Sequence, residues 1–211
     1  NFIDKNSLNV TLNLIADNSN KDFDKKIFNL FQSDKIEIKY FNSKISGNRG
    51  SYLECCDQAE KADDLIFFVE DDYLFEKNCI DEMLSTFSKV SSLLENDIVI
   101  CPSDYPFYYD SLYKTSLLVG KRHKWRIVNE TLLTFMLSKE IFKNYKKQIR
   151  CVGEIINEPF EKPLHEVYKQ VNCLAPINTL SYHISRSVPA VNEDWEKIWN
   201  INFDKFQKFI S

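Results

Sequence analysis

Apolar residues come in short runs whose period changes along the chain. Leu8 to Ala16 alternates as a half-buried strand does and stops at the turn-forming Asp17-Asn18-Ser19-Asn20. Phe23, Ile27, Leu30 and Phe31 then fall at helical spacing, and Ile36 to Phe41 reads as a second strand. Ser46-Gly47-Asn48-Arg49-Gly50-Ser51 is a glycine loop leading into a helix from about Tyr52 to Ala62. Next comes Leu65-Ile66-Phe67-Phe68-Val69. An unbroken apolar run rich in aromatic and β-branched residues predicts a strand buried on both faces.

The later pattern predicts a helix over Cys79–Leu94 and a strand over Asp97–Cys101 that ends in Pro102-Ser103-Asp104-Tyr105-Pro106. Trp125–Val128 and Thr131–Leu137 read as an antiparallel pair about Asn129-Glu130. Helices follow at Lys139–Tyr145 and Phe160–Gln170, then extended segments at Asn172–Ala175 and Ile177–His183. Strand–helix alternation in the first half predicts an α/β domain with a mostly parallel central sheet, flanking helices and a small antiparallel element. The expected organisation is one domain over residues 1–186, its halves meeting near residue 100, and a helical tail over 187–211 with a helix near Trp195 to Trp199.

Composition narrows the classes. A net charge of -4 over 211 residues gives a nucleic-acid partner no support. The local cluster Lys121-Arg122-His123-Lys124 suits a phosphate or an anionic membrane surface, so peripheral membrane association stays open. Six cysteines without a CxxC spacing read as free thiols in a reducing, cytoplasmic compartment. No apolar run has the length of a membrane span, and Asn1-Phe2-Ile3-Asp4-Lys5 does not read as a signal peptide.

The candidate chemistry sits where the Leu65–Val69 strand runs into Glu70-Asp71-Asp72. Unpaired carboxylates cannot be buried cheaply, so the acids must meet water or a cation at the strand end. Ligands of open α/β sheets bind at such ends. Carboxylates spaced this way suit a hard divalent ion, which would neutralise a diphosphate leaving group; the plainer reading is a solvated acidic turn. Asp17 ends an earlier strand and can accept a nucleobase N–H, or simply cap a helix. Arg49, in the glycine loop, suits a phosphate or base, or is an ordinary surface arginine. His183 ends an extended run and can complete a metal shell begun by Asp72. Glu154 and Glu158 are alternative general bases for a hydroxyl, or parts of one exposed acidic loop. Trp195 and Trp199 lie one helical turn apart, placed to stack on a sugar or to anchor the tail.

In this order the pieces resemble a GT-A-type nucleotide-sugar glycosyltransferase, close to the large inverting family 2. The resemblance runs through Leu14 to Ser19, the Gly47 to Ser51 loop, Phe67 to Asp72, Thr134 to Ser138, Gly153-Glu154 and Pro176 to His183. It implies a Rossmann-like GT-A fold that moves a sugar from a nucleoside diphosphate sugar, a UDP-sugar above others, to a hydroxyl of a glycan, lipid-linked or protein acceptor. Glu70-Asp71-Asp72 resembles the DxD motif, with Asp72 on Mn²⁺ or Mg²⁺ and Glu70 and Asp71 toward the nucleotide. Asp17 would hold the base, Arg49 would match a loop arginine, and His183 a late metal ligand. Gly153-Glu154 resembles the segment of the catalytic base, although Ile155 stands where a second acid is expected, which keeps Glu158 in play. The family's first strand would precede residue 1. Two other readings compete: a sugar-1-phosphate nucleotidyltransferase on a related sheet, and a non-catalytic carbohydrate- or partner-binding domain.

Overall fold

The computed structural model describes residues 8–20, 22, 25–27, 36–110, 115–185, 188, 191 and 195–210. The helix expected over Phe23–Phe31 lies largely outside them. The chain divides into two compact units, Asn1–Asp64 with Lys139–Leu164, and Leu65–Ser138 with His165–Ser211.

In the first unit, β1 (Thr11–Ala16) and β2 (Glu37–Asn42) pair in parallel, Thr11 opposite Glu37 and Ala16 opposite Asn42. Helix α1 (Asn48–Ala59) follows the glycine loop. Helices α3 (Lys139–Asn144) and α4 (Lys146–Glu154) belong to the same unit. Gly153 of α4 lets it approach α1 closely. A Cβ there would lie 2.7 Å from Leu53 Cγ and 3.0 Å from the Arg49 carbonyl oxygen.

In the second unit lies a six-stranded sheet of order β3 (Leu65–Phe68), β8 (Phe135–Ser138), β5 (Val99–Ile100), β9 (Cys173–Pro176), β7 (Lys124–Val128), β6 (Leu117–Val119). Helix α2 (Cys79–Leu94) packs its apolar stripe of Cys79, Met83 and Val90 into one core with Ile98, Ile100, Trp125, Met136, Leu174 and Leu180. Each such side chain contributes about 1.5–3 kcal/mol when fully buried. A separate two-stranded pair joins β4 (Tyr73–Phe75) to β10 (Ser181–His183), antiparallel, with His183 opposite Tyr73. Helix α5 (Lys162–Tyr168) carries the chain from the first unit to the second, and α6 (Trp195–Ile210) ends it.

The architecture is α/β, but the sheet is mixed rather than mostly parallel, which corrects the expectation from strand–helix alternation. Among the pairs of its described residues only β5–β9 is parallel. Strand β8 runs antiparallel to both β3 and β5. All four β8 residues are buried, and a strand buried on both faces belongs in a sheet interior, whatever its chain neighbours do. The expected hairpin of Trp125–Val128 with Thr131–Leu137 is therefore absent, and β7 pairs with β6 and β9 instead. The run at β3 is less sealed than predicted: Ile66 and Phe68 are buried, while Leu65 and Phe67 are half-buried against the core. All six cysteines are free thiols. Among the described residues no helix is long and apolar enough to cross a membrane.

Candidate functional site

Strand β3 ends where its apolar run ends. The Glu70 N–H donates to Thr134 Oγ1 at 3.3 Å, and Asp71 and Asp72 form the turn into β4. Asp71 is exposed; Glu70 and Asp72 are partly so. The β4–β10 pairing then brings a histidine from far along the chain to the turn. His183 Nε2 lies 3.0 Å from Asp72 Oδ2. The Ile184 N–H donates to the Asp72 carbonyl at 2.7 Å, which fixes the backbone on both sides of this contact. The Tyr73 ring stacks on the imidazole, centroids 4.9 Å apart, and its hydroxyl meets that of Tyr105 at 2.5 Å. The imidazole orientation is thereby set by packing as well as by its polar partner.

Asp72 Oδ1 and His183 Nδ1 are buried and have no hydrogen-bond partner among the described residues. An acceptor left so costs free energy unless something pairs with it. A divalent ion suits this donor set of one carboxylate and one imidazole. Carboxylate oxygen is a ligand for Mg²⁺ and Mn²⁺ alike, and the nitrogen tilts the pair toward the transition metal. No group of three or more His, Cys, Asp or Glu side chains converges among the described residues. A pair of protein donors would leave open positions of the kind that phosphate oxygens and water fill.

The first unit holds the other predicted residues. The Asp17 carboxylate accepts the Gly47 N–H at 2.6 Å. Gly47 has φ +92°, the left-handed region where glycine is unstrained, so the acid and the glycine together shape this turn. The Arg49 guanidinium donates to the carbonyls of Gly153, at 2.9 Å from Nε, and of Glu154, at 2.6 Å. It caps the C-terminus of α4, where orphan carbonyls and the helix dipole favour a cation. Glu154 is the last residue of that helix rather than part of a loop, and its Oε1 pairs with Arg150 Nε at 3.2 Å. Glu158 stands exposed in the segment before α5.

One buried polar cluster escaped the sequence reading. Asp104, past β5 in the second unit, accepts from the Tyr109 hydroxyl at 2.6 Å, and Arg126 lies 3.8 Å from its other oxygen. The Arg126 guanidinium sits over the Tyr109 ring at 4.1 Å and also donates to its hydroxyl. Burial pushes the Asp104 carboxyl up to about 6, against the opposing pull of Tyr109 and Arg126. The available signal was a second strand ending in an acid, Cys101-Pro102-Ser103-Asp104.

Compared with known proteins, the chain matches no family model and no curated protein.

Proposed function

We propose that this chain is a metal-dependent glycosyltransferase of GT-A type, moving a sugar from a nucleoside diphosphate sugar to a hydroxyl acceptor in glycan or polysaccharide synthesis. The observation that carries this reading is the Asp72–His183 contact at the end of an acidic strand. A carboxylate and an imidazole from sequence positions 111 residues apart meet in the order the resemblance requires.

Asp72 and His183 would hold Mn²⁺ or Mg²⁺. The ion's chemistry there is to neutralise charge building on the diphosphate. Tyr73 keeps the imidazole in place by stacking, and the Ile184–Asp72 backbone bond holds the carboxylate's strand end. In the transfer the anomeric C–O bond to the diphosphate breaks and its electron pair leaves with the phosphate oxygen. A new C–O bond forms to the acceptor oxygen, whose proton passes to a carboxylate base, Glu154 or Glu158. Glu154 pairs with Arg150 at 3.2 Å and Glu158 stands exposed; both remain candidates for the base. Inversion at the anomeric carbon rests on the resemblance.

Calorimetry of UDP and UDP-sugars with and without Mn²⁺ tests the reading. The ion should strengthen binding in the parent and not in Asp72→Ala; equal behaviour of the two proteins would sink the metal assignment. Release of nucleoside diphosphate rather than pyrophosphate separates the transferase from a nucleotidyltransferase. Donor binding with release of neither product would instead mark a non-catalytic domain.

A further inference from the structure

Helix α6 carries Trp195 and Trp199 one turn apart. Together with Ile184, Glu196 and Asn200 they line a groove of about 380 Å³ within the second unit. Trp199 is 43% exposed, unusual for the largest apolar side chain. The lining has two characters. The indoles and Ile184 offer flat apolar surface; the carboxylate of Glu196 and the amide of Asn200 offer acceptors and donors.

A pyranose ring needs that combination. Its C–H face packs on an aromatic ring, while the hydroxyls at its rim need polar partners. A lipid chain or an apolar peptide face fits less well, because it would cover the carboxylate of Glu196 and the amide of Asn200 and offer neither a hydrogen bond. The volume lies at the small end of the ~300–1,000 Å³ typical of ligand sites, which suits a mono- or disaccharide unit. Position adds to the chemistry. Ile184 follows His183 directly, and its N–H is bonded to the Asp72 carbonyl.

We propose that this groove is the acceptor subsite: a sugar ring of the acceptor glycan stacks on Trp199, and Glu196 and Asn200 engage its hydroxyls. The word acceptor rests on the transferase reading; sugar binding by the groove does not. The subsite gives the acceptor's substrate class, a carbohydrate end rather than a lipid or a protein side chain.

The test uses the full chain and free oligosaccharides of glucose, galactose, mannose and N-acetylglucosamine, without donor, followed by tryptophan fluorescence and calorimetry. At least one sugar should bind, and Trp199→Ala should weaken it by roughly tenfold, the upper range for a ring contact. Trp199→Phe should retain most of the affinity, and Asn200→Ala should lose part of it. No binding across the set, or equal binding by parent and Trp199→Ala, overturns the subsite. So does a Trp199→Ala variant that stops sedimenting with anionic phospholipid vesicles yet still binds sugar, since the face would then belong to a membrane. Sugar binding without Mn²⁺-dependent nucleotide binding upholds the groove and fails the transferase reading alone.

Discussion

The backbone N–H of Ile184 is bonded to the backbone carbonyl of Asp72, so the residue after the histidine is tied to the acid that the histidine meets. Orientation of the pair is thus built into the β4–β10 ladder and does not wait for a ligand. A preoriented pair loses little freedom on taking up an ion.

His183 should set which metal works. On the proposed metal reading, replacing it with Ala would leave an oxygen-only protein ligand, and the preference of imidazole for transition metals would go with it. Titrating UDP binding with Mn²⁺ and with Mg²⁺ should show the Mn²⁺ response of His183→Ala weakened by about tenfold, ~1.4 kcal/mol, and the Mg²⁺ response changed less. Equal losses for both ions would remove the imidazole from the metal shell.

Gly153→Ala should destabilise without touching the acidic turn. The new methyl would sit 2.7 Å from Leu53 Cγ, a branched atom that cannot swing away, and 3.0 Å from a main-chain oxygen. Overpacking of this kind costs about 1–3 kcal/mol. Urea denaturation should show the loss, with Mn²⁺-dependent UDP affinity under folding conditions kept.

Arg49→Lys should also act on stability. Lysine lacks the planar fork that reaches both the Gly153 and Glu154 carbonyls. A fall of about 1–3 kcal/mol is expected for hydrogen bonds from a charged donor. Unchanged stability with weakened UDP binding would instead make Arg49 a nucleotide contact.

Two buried acids should give opposite pH signatures. Asp104 has its carboxyl raised by burial from 3.8 to about 6, so between those values the folded state holds a proton that the unfolded chain has lost. Its contribution therefore weakens as pH rises through that window, by up to ~3 kcal/mol. Asp104→Asn should flatten that fall in denaturation curves measured from pH 4 to 7.

Glu82 runs the other way. It is fully buried, which alone would raise its carboxyl, but the main-chain N–H groups of Lys121, Arg122 and His123 donate to it at 2.9 to 3.2 Å and hold it below 4.5. The stability it supplies is present above pH 4.5 and lost as pH falls through its depressed folded value. Glu82→Gln should cost about 1–3 kcal/mol at pH 7, and the gap from the parent should narrow on acidification.

Local pattern carried the elements that own their periodicity. The helix read at Cys79–Leu94 is α2, because its apolar stripe faces one core. The strand end at Glu70 was legible for the same reason: an apolar run cannot continue into acids. Pairing was not legible. Nothing in Phe135–Ser138 says that it inserts between β3 and β5, since that choice depends on burial from both sides. Helix α4 was missed because Lys146-Lys147-Gln148 is polar, and only Ile149, Val152 and Gly153 are buried along it. Within the candidate site, the meeting of Asp72 with His183 followed from strand ends, whereas the hold of Arg49 on α4 needed a contact between distant segments that no spacing encodes.

Arg49 must wait for the carbonyls it caps, because Gly153 lies 104 residues further along the chain. At synthesis rates of ~5–20 residues per second, the ribosome delivers that partner about 5–20 s after the arginine. Through that interval the β1–β2 pair and α1 have no α4 to lean on. A chaperone that attends this segment during synthesis would find its business in that interval.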